Sequence, residues 1–286
     1  PIKILSQADY LSNTLSGRWG VSDYHNALKL GYDTERLEWP DWIEKLLPAD
    51  SLPEVLTPGE IIDPIDKSFK QRYGLSPDCL ICAGSTDANA AFIATQSTQP
   101  GAAVTSLGST LVLKILNAQP VEHLDAGIYS HRLGDLWLCG GASNAGAAIL
   151  RQYFTDAQIA SYSNQMHPDK PTGLNYYPLS SVGERFPFNN PEMKPKLSPR
   201  PASDIEFLQA ILEGLSQIEK TGYDKLQSLG TSAPTQVQSC GGGAKNPQWT
   251  AMRSLLLGIP VTPAEHTEAC FGAALLALQG LKPYLL

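Results

Sequence analysis

The apolar positions in the second half of the chain follow strand spacing and helix spacing in turn. Two β-rich runs, 102–107 and 111–116, flank a turn at Gly108 and predict a hairpin. A second strand pair is predicted to turn at 133–135. Residues 140–154, which begin with two glycines, are then expected to form a helix.

A proline-rich stretch separates these elements from the last part of the chain. Residues 165–202 are irregular and too long for an ordinary connection, so we expect a surface insertion. A long helix is predicted from about Ser203, because apolar residues recur three or four positions apart. This buried stripe consists of Ile205, Leu208, Leu212, Leu215 and Ile218.

The last part of the chain alternates strands with helices. A strand at 236–240 leads into a glycine-rich turn. The next helix has Pro247 at its first position and Gly258 just beyond its end, an arrangement typical of helix termini. A short strand, 259–261, follows at once.

The final helix is predicted from a capping box. Thr262 would be its N-cap, Glu265 lies three residues later, and the helix is expected to end at Gly280. The order from about residue 101 is then hairpin, strand, helix, strand, helix, strand, helix. This is the ribonuclease-H-like layout that is duplicated in actin-type ATPases and sugar kinases. By this analogy, which concerns the fold alone and not the function, we predict an α/β, actin-like (ribonuclease-H-like) sugar kinase fold with a complete second domain at 101–286.

The first region contains much less of this layout. Residues 1–75 mix short helical pieces with loops, and only 78–83 suits a buried strand. A helix from about 85 to 96 follows, with a predicted buried face of Ala88, Ala91, Phe92 and Thr95. Residues 1–100 would form a partial first domain, and we expect its missing hairpin to lie upstream of Pro1.

Composition and charge narrow the class of function. The chain has 286 residues, of which 42% are hydrophobic and 17% charged, as in globular proteins with a sizeable core. Its net charge of -7 argues against nucleic acid or an anionic membrane as a partner, because polyanions repel an acidic surface. No apolar run could span a bilayer, and the first residues lack the pattern of a signal peptide. We therefore expect a cytoplasmic protein that binds a small molecule.

Metal and redox motifs are not evident. The five cysteines are few and odd in number, which argues against a disulfide framework. Cys79 and Cys82 form a C-x-x-C, for which packing is favoured over metal binding or redox chemistry. The histidines are too far apart for a metal-ligand pair on one helix, and hydrolase and Walker-type motifs are absent. The residues of any metal site remain unknown.

The glycine-rich turn after residue 240 is the strongest candidate site. Its glycines let the backbone approach a ligand closely, and the N–H groups of the next helix can face an anion or a polar ring. A flexible turn is the alternative. Asn246 is equally suited to cap the helix, and Trp249 to pack in the core. The candidates are Gly241, Gly242, Gly243, Asn246 and Trp249.

Two other turns carry candidate chemistry. The hairpin tip Gly108, Ser109 and Thr110 could hold a phosphate with N–H and O–H donors, although such turns are also common strand connectors. Asp87 lies in the first turn of a helix, where a carboxylate could accept a hydroxyl proton; an ordinary helix-start carboxylate is the alternative. Asp23 has a similar capping pattern, and we assign it a structural role.

Several segments together resemble the FGGY carbohydrate kinases across nearly the whole chain. Residues 17–33 are similar to that family's glycine-to-S-D-x-x-N-A stretch, and CAGSTDANAA is similar to its catalytic segment. SLGST resembles its second phosphate loop, and CGGGAKNPQW resembles its adenosine-binding signature. The pattern is most similar to the xylulokinase-like proteins of cyanobacteria and plants.

The resemblance implies that the γ-phosphoryl group of ATP, with Mg²⁺, is transferred to a ketose such as the pentuloses D-ribulose and D-xylulose. Asp87 would contact the sugar as the general base. Residues 108–110 would hold phosphates, and the turn and helix at 241–249 would hold the adenosine. A non-catalytic nucleotide-binding module of actin type is the alternative.

One departure from the family is large. Its N-terminal D-x-G-[TS] phosphate hairpin, with a magnesium-linked aspartate, and most of its sugar pocket do not occur in this chain. We therefore expect an N-terminal segment of the same protein to be missing, and the chain alone to turn over little or no sugar. For a plant source, the chloroplast stroma is the alternative to the cytoplasm.

Overall fold

The computed structural model describes residues 2–281. They form two compact units: the residues up to Gln96 with those from His266 onward, and Ser97–Glu265. The first boundary lies close to the predicted division, and the chain returns to the first unit at its end. Pro1 and residues 282–286 lie outside the described residues. The assignment of 1–100 and 101–286 to two domains of the family stays a prediction.

The first unit is built from short elements. In chain order they are α1 (Gln7–Ser16), β1 (Val21–Asp23), α2 (Tyr24–Ala27), α3 (Asp41–Glu44), β2 (Glu54–Leu56), β3 (Ile61–Pro64), α4 (Lys67–Tyr73), β4 (Leu80–Cys82), α5 (Asp87–Ala94) and the ninth α-helix of the described chain, α9 (Ala269–Leu281), with 3-10 helices at Leu28–Leu30 and Ala49–Ser51.

Two small sheets organise the first unit. Strand β1 pairs in parallel with β2, and β3 pairs antiparallel with β4. The predicted strand at 78–83 is therefore present as β4. The prediction that it is buried is wrong: its three residues are only partly buried, because β3 is its one partner strand among residues 2–281.

Helix α5 confirms the helix predicted at 85–96, and of its predicted buried face Phe92 and Thr95 are buried. A Cβ atom added to Gly272 of α9 would lie 1.8 Å from the Ala90 carbonyl oxygen, so α9 packs directly on the backbone of α5. Ala90 and Ala94 are buried, whereas Ala88 is exposed. The predicted face is wrong at Ala88, because the packing against α9 uses the side of the helix that carries Ala90.

The second unit is built around one sheet. Its elements are β5 (Ala102–Leu107), β6 (Leu111–Asn117), β7 (Tyr129–Leu133), β8 (Leu136–Ser143), α6 (Asp156–Ser163), α7 (Asp204–Ser228), β9 (Gln236–Cys240), α8 (Pro247–Leu257) and β10 (Val261–Pro263), with 3-10 helices at Leu124–Ala126, Ala147–Gln152 and Gly242–Lys245.

The six strands lie in the order β10, β9, β5, β6, β8, β7. Strands β10, β9 and β5 are parallel, and β6, β8 and β7 continue the sheet antiparallel. This arrangement confirms both predicted strand pairs and the predicted strand at 236–240. Helix α7 confirms the long predicted helix, and its apolar stripe is buried against the sheet with Leu208, Leu212 and Leu215 fully enclosed.

The prediction of a helix at 140–154 is wrong. Strand β8 continues through Gly140 and Gly141 to Ser143 and pairs with β6. A Cβ atom at Gly140 would lie 2.1 Å from the Leu113 carbonyl oxygen. The two glycines therefore allow close packing within a strand and do not begin a helix. Only the 3-10 helix Ala147–Gln152 follows.

The prediction that 165–202 is a surface insertion is also wrong. The segment forms no named helix or strand, yet Tyr176, Leu179 and Phe186 are buried in the core of the second unit. A Cβ atom at Gly141 or Gly222 would lie 2.5 or 2.7 Å from the Phe186 ring. The segment therefore supplies side chains that the sheet and α7 need to complete their packing.

The capping box predicted for the last helix is not formed. Thr262 and Pro263 belong to β10, where they pair with Gln238 and Ser239 of β9. Because Thr262 is used by the parallel ladder, the helix begins later, at Ala269, and it extends past Gly280 to Leu281. Between residues 2 and 281, no helix combines the length and the apolar character needed to cross a bilayer.

Candidate active site

The turn between β5 and β6 is held from one side by the start of the 3-10 helix. The Ala147 N–H donates to the Gly108 carbonyl at 2.9 Å, and the Leu111 N–H donates to the Ala145 carbonyl at 2.7 Å. Within the described chain, the N–H groups of Ser109 and Thr110 make no backbone hydrogen bond, and Ser109 is exposed. The turn is therefore fixed by its carbonyls and leaves N–H donors for a ligand.

The glycine-rich turn after β9 lies against the end of β5. Gly241 has a φ of 81°, and a Cβ atom there would lie 2.9 Å from the Leu107 carbonyl oxygen. A Cβ atom at Gly243 would lie 2.4 Å from the Trp249 ring, whereas one at Gly242 would have no neighbour within 4 Å. Gly241 and Gly243 are thus needed for packing, and Gly242 faces open space.

Asn246 and Trp249 both have structural partners. The Asn246 side-chain oxygen caps α8 by accepting from the N–H groups of Gln248 and Trp249, each at 3.1 Å, and its amide donates to Ser163 at 2.8 Å. Trp249 is buried, and its ring N–H donates to Ser216 at 3.0 Å. The predicted cap is confirmed. Their hydrogen bonds fix both side chains in place, so a ligand in the cavity would contact rigid side chains.

These turns share one cavity of about 490 Å³. Strands β5 and β9 are adjacent and parallel, so their carboxyl ends open at the same edge of the sheet, where α/β proteins commonly bind ligands. The volume is within the usual range for small-molecule sites. The predicted residues that line it are Gly108, Ser109, Gly242, Gly243, Asn246 and Trp249. Thr110 and Gly241 lie beside it in the same turns.

Three charged residues of this cavity were missed by the sequence reasoning. Arg151, Asp156 and Lys245 all line it, and the Arg151 guanidinium lies 3.4 Å from the Asp156 carboxylate. The two cations suit phosphate oxygens, and the carboxylate suits a hydroxyl donor. The Thr155-to-Gln158 capping box of α6 was a usable signal, since it places Asp156 at the start of a helix.

A larger groove of about 740 Å³ lies between residues 168–176 and helices α7 and α8. It contains none of the predicted site residues. Its Glu213 carboxylate already accepts hydrogen bonds from Thr172 and Gln209. We therefore place the candidate site in the smaller cavity, where backbone N–H donors and glycines converge.

Asp87 belongs to the first unit and is the first residue of α5. Its carboxylate is exposed, and one oxygen accepts from the Ala88 N–H at 2.7 Å. In the preceding turn, the Ser85 hydroxyl lies 2.7 Å from Nδ1 of the buried His25. The carboxylate is thus accessible at the positive end of a helix, and the turn that carries it is anchored.

Asp23 confirms its predicted capping role. Its carboxylate accepts from the N–H groups of His25 and Asn26 at 2.9 and 3.0 Å, and from the Asn26 amide at 2.6 Å. Burial raises the pKa of Asp23 above its ordinary value, while these hydrogen bonds act in the opposite direction. A Cβ atom at Gly84 would lie 3.7 Å from this carboxylate, so Asp23 supports the turn before Asp87.

Asn89, one residue beyond Ala88, had no functional signal in the sequence. Its side chain is fully buried, and neither its oxygen nor its nitrogen has a hydrogen-bond partner in residues 2–281. Such unpaired buried amides are uncommon in native proteins.

Across residues 2–281, no cluster of three or more His, Cys, Asp or Glu side chains is arranged to hold a metal ion.

The fold, the cavity of the second unit and the turn that carries Asp87 together indicate the class of protein. The chain has the α/β, actin-like fold of sugar kinases, as predicted, with glycine turns at the ends of two adjacent parallel strands. A family model described as the FGGY family of carbohydrate kinases, C-terminal domain, matches residues 103–281. The chain belongs to the FGGY family of carbohydrate kinases, which confirms the resemblance found in its sequence.

Comparisons with individual proteins are consistent with membership of this family. The chain is 22% identical over 287 residues to a xylulose kinase of Staphylococcus epidermidis, a match that covers 96% of this chain and 57% of the relative. A xyloylose kinase from Brucella ovis superposes with a TM-score of 0.86 at 25% identity, over 98% of this chain and 60% of that one. A Plasmodium falciparum glycerol kinase with ADP gives 0.81 at 18% identity, over 98% and 58%. The chain thus spans less than two thirds of the length of these relatives.

Proposed function

We propose that this chain contributes the ATP-binding region and the catalytic base of a carbohydrate kinase. The observation that carries the proposal is the cavity in which the turn at Gly108 and the turn at Gly242 lie together at the ends of two parallel strands. Backbone N–H groups and the cations of Arg151 and Lys245 suit the phosphates of a nucleotide. Glycerol kinase, a fold neighbour, has been solved with ADP, which supports this choice of ligand.

Asp87 is the proposed general base. Its exposed carboxylate would accept the proton of a sugar hydroxyl, while the oxygen of that hydroxyl forms a bond to the γ-phosphorus of ATP. The bond between the γ-phosphorus and the bridging oxygen breaks, and ADP leaves with that oxygen. The anchored turn before Asp87 would hold the carboxylate in a fixed position.

The proposed substrate is a ketose, and within that class a pentulose such as D-xylulose or D-ribulose. The naming of similar proteins as xylulose kinases supports this choice. Mg²⁺ is the proposed metal partner, and it would neutralise the charge of the phosphates. We assign no protein ligand to it, because residues 2–281 contain no candidate cluster. The proposed compartment is the cytoplasm, or the chloroplast stroma for a plant protein.

The proposed activity is that of a protein as long as these relatives, and not that of residues 1–286 alone. The chain spans 57% of the S. epidermidis relative, so we propose that a further N-terminal segment supplies most of the sugar pocket. We expect residues 1–286 alone to turn over little or no sugar.

The test is a coupled assay of ADP release by the full-length protein over a panel of ketoses and polyols. Asp87→Asn is expected to lower kcat by about 10² to 10⁴-fold and to leave ADP binding intact, because it removes the base and keeps the fold. Asp78→Asn, a change at another exposed carboxylate of the same unit, is the matched control.

An Asp87→Asn protein with unchanged kcat would overturn the assignment of the base. If the full-length protein binds ADP and phosphorylates no sugar in the panel, the alternative of a non-catalytic nucleotide-binding module replaces the kinase. Calorimetry with ATP and ADP separates both results from a chain that binds no nucleotide.

A further inference from the structure

A buried ion pair lies within the core of the second unit. The guanidinium of Arg253, on α8, donates from Nε and Nη2 to the two carboxylate oxygens of Glu219, on α7, each at 2.6 Å. Both side chains are at most 1% exposed. The pair is therefore bidentate and shielded from water, and it joins the two helices that cover this face of the sheet.

The same two side chains reach the sheet through hydroxyl groups. Arg253 Nη1 donates to the Ser239 hydroxyl at 2.7 Å, and the Thr105 hydroxyl donates to Glu219 at 2.5 Å. The Tyr223 hydroxyl lies 2.8 Å from Thr105 and donates to it, since the Thr105 proton points to Glu219. Burial and the nearby Glu219 carboxylate raise the pKa of Tyr223 above its ordinary value, so this donor keeps its proton.

The register of the sheet places this network next to the two turns of the candidate site. Thr105 of β5 and Ser239 of β9 are direct partners in the parallel ladder. Thr105 lies three residues before Gly108, and Ser239 lies two residues before Gly241, so the polar contacts sit just below the ends of both strands. A shift of β5 along β9 would separate the two turns that form the candidate site, and it would break these hydroxyl contacts.

We propose that Glu219 and Arg253 are positioning residues for nucleotide binding: through Thr105 and Ser239 they hold the turns that end β5 and β9 side by side. This inference rests on the proposed function. Arg253 also lies one helical turn after Trp249, which lines the cavity, so α8 carries both the ion pair and a residue of the site.

Stability alone gives little reason for a buried ion pair in this place. Replacing such a pair with apolar side chains of similar size is often neutral or stabilising, whereas losing one partner is strongly destabilising. What apolar side chains cannot supply are directional bonds to Thr105 and Ser239. The position of the network below the cavity therefore points to alignment of the turns.

The test uses the full-length protein and two kinds of variant. The double variant Glu219→Met with Arg253→Met removes both charges together and keeps apolar side chains in the core, so its thermal midpoint is expected to fall only modestly, through the buried Ser239 hydroxyl that loses its partner. Its dissociation constant for ADP, measured by calorimetry, is expected to rise about tenfold or more, because small displacements of binding groups are costly.

The second pair of variants changes one hydroxyl. Thr105→Val keeps the shape of the side chain and removes its donor, and it is expected to weaken ADP binding severalfold; Thr105→Ser keeps the donor and is expected to restore the affinity. In steady-state assays, KM for ATP should rise in the Val variant and KM for the sugar should stay unchanged. A purely structural role would not produce this split.

The outcomes distinguish a failure of the proposed function from a failure of the positioning role. If the wild-type protein binds no nucleotide, the proposed function fails and this inference fails with it. If the wild type binds ADP and the double variant or Thr105→Val binds it equally well, the positioning role alone is refuted. Should the double variant not fold, the comparison of Val with Ser at Thr105 decides.

Discussion

Two neighbouring glycines of the turn after β9 make a sharp test of the candidate site. A Cβ atom at Gly243 would lie 2.4 Å from the Trp249 ring and 2.8 Å from the Leu107 Cβ atom. Carbon atoms in contact are normally about 3.5 to 4.0 Å apart, so Gly243→Ala requires Trp249 to move by about 1 Å. Trp249 is buried and hydrogen-bonded to Ser216, so it has little freedom to do so.

Gly242→Ala is the matched variant. A Cβ atom at Gly242 has no neighbour within 4 Å, and the φ of this residue is not positive, so the backbone accepts alanine. Gly243→Ala is therefore expected to destabilise the protein by about 1 to 3 kcal/mol through overpacking. Gly242→Ala is expected to change the free energy of unfolding by less than about 0.5 kcal/mol.

The two variants separate packing from ligand contact. Because Gly242 lines the cavity, its new methyl group is expected to weaken ADP binding by about tenfold while stability stays unchanged. Chemical denaturation measures stability, and calorimetry with ADP measures affinity. A Gly242→Ala protein that is as stable as the wild type and binds ADP equally well would refute the view that this turn contacts the nucleotide.

Three other predictions concern stability. Asn246→Ala is expected to cost about 1 kcal/mol in urea denaturation, because the cap of α8 is lost, and Asn246→Asp, which keeps the capping oxygen, should cost less. Phe186→Ala is expected to cost about 3 to 5 kcal/mol, whereas the exposed Phe188→Ala should have little effect; a small loss at Phe186 would contradict its place in the core. Burial lowers the pKa of Lys114 from 10.5 to about 8, so the unfolded chain binds more protons between these pH values and stability rises with pH across this window. Relative to Lys114→Met, the wild type should gain up to about 3 kcal/mol from pH 8 to 10.5 in pH-dependent denaturation, and parallel curves would contradict this.

The sequence predicted several local features correctly. The turn at Gly108, the stripe of α7 and the cap of α8 by Asn246 all depend on residues a few positions apart, and each is present in the structure. The glycine-rich turn at Gly242 was recognisable for the same reason. A hairpin turn, the periodicity of a helix and its N-cap involve residues close together in the chain, so these features can be predicted from one sequence.

The remaining features depend on which distant segments meet. Gly140 was expected to begin a helix, but a neighbouring strand lies so close that only glycine fits there within β8. Phe186, in a proline-rich stretch without regular structure, is buried because Gly141 and Gly222 leave space for its ring. A glycine or an isolated aromatic residue has the same local pattern whether it faces water or a packed partner. The sequence by itself therefore determined the hairpin at Gly108, the long helix α7 and the two turns of the site, and only tertiary packing decided the structure of 140–154 and which residues close the core.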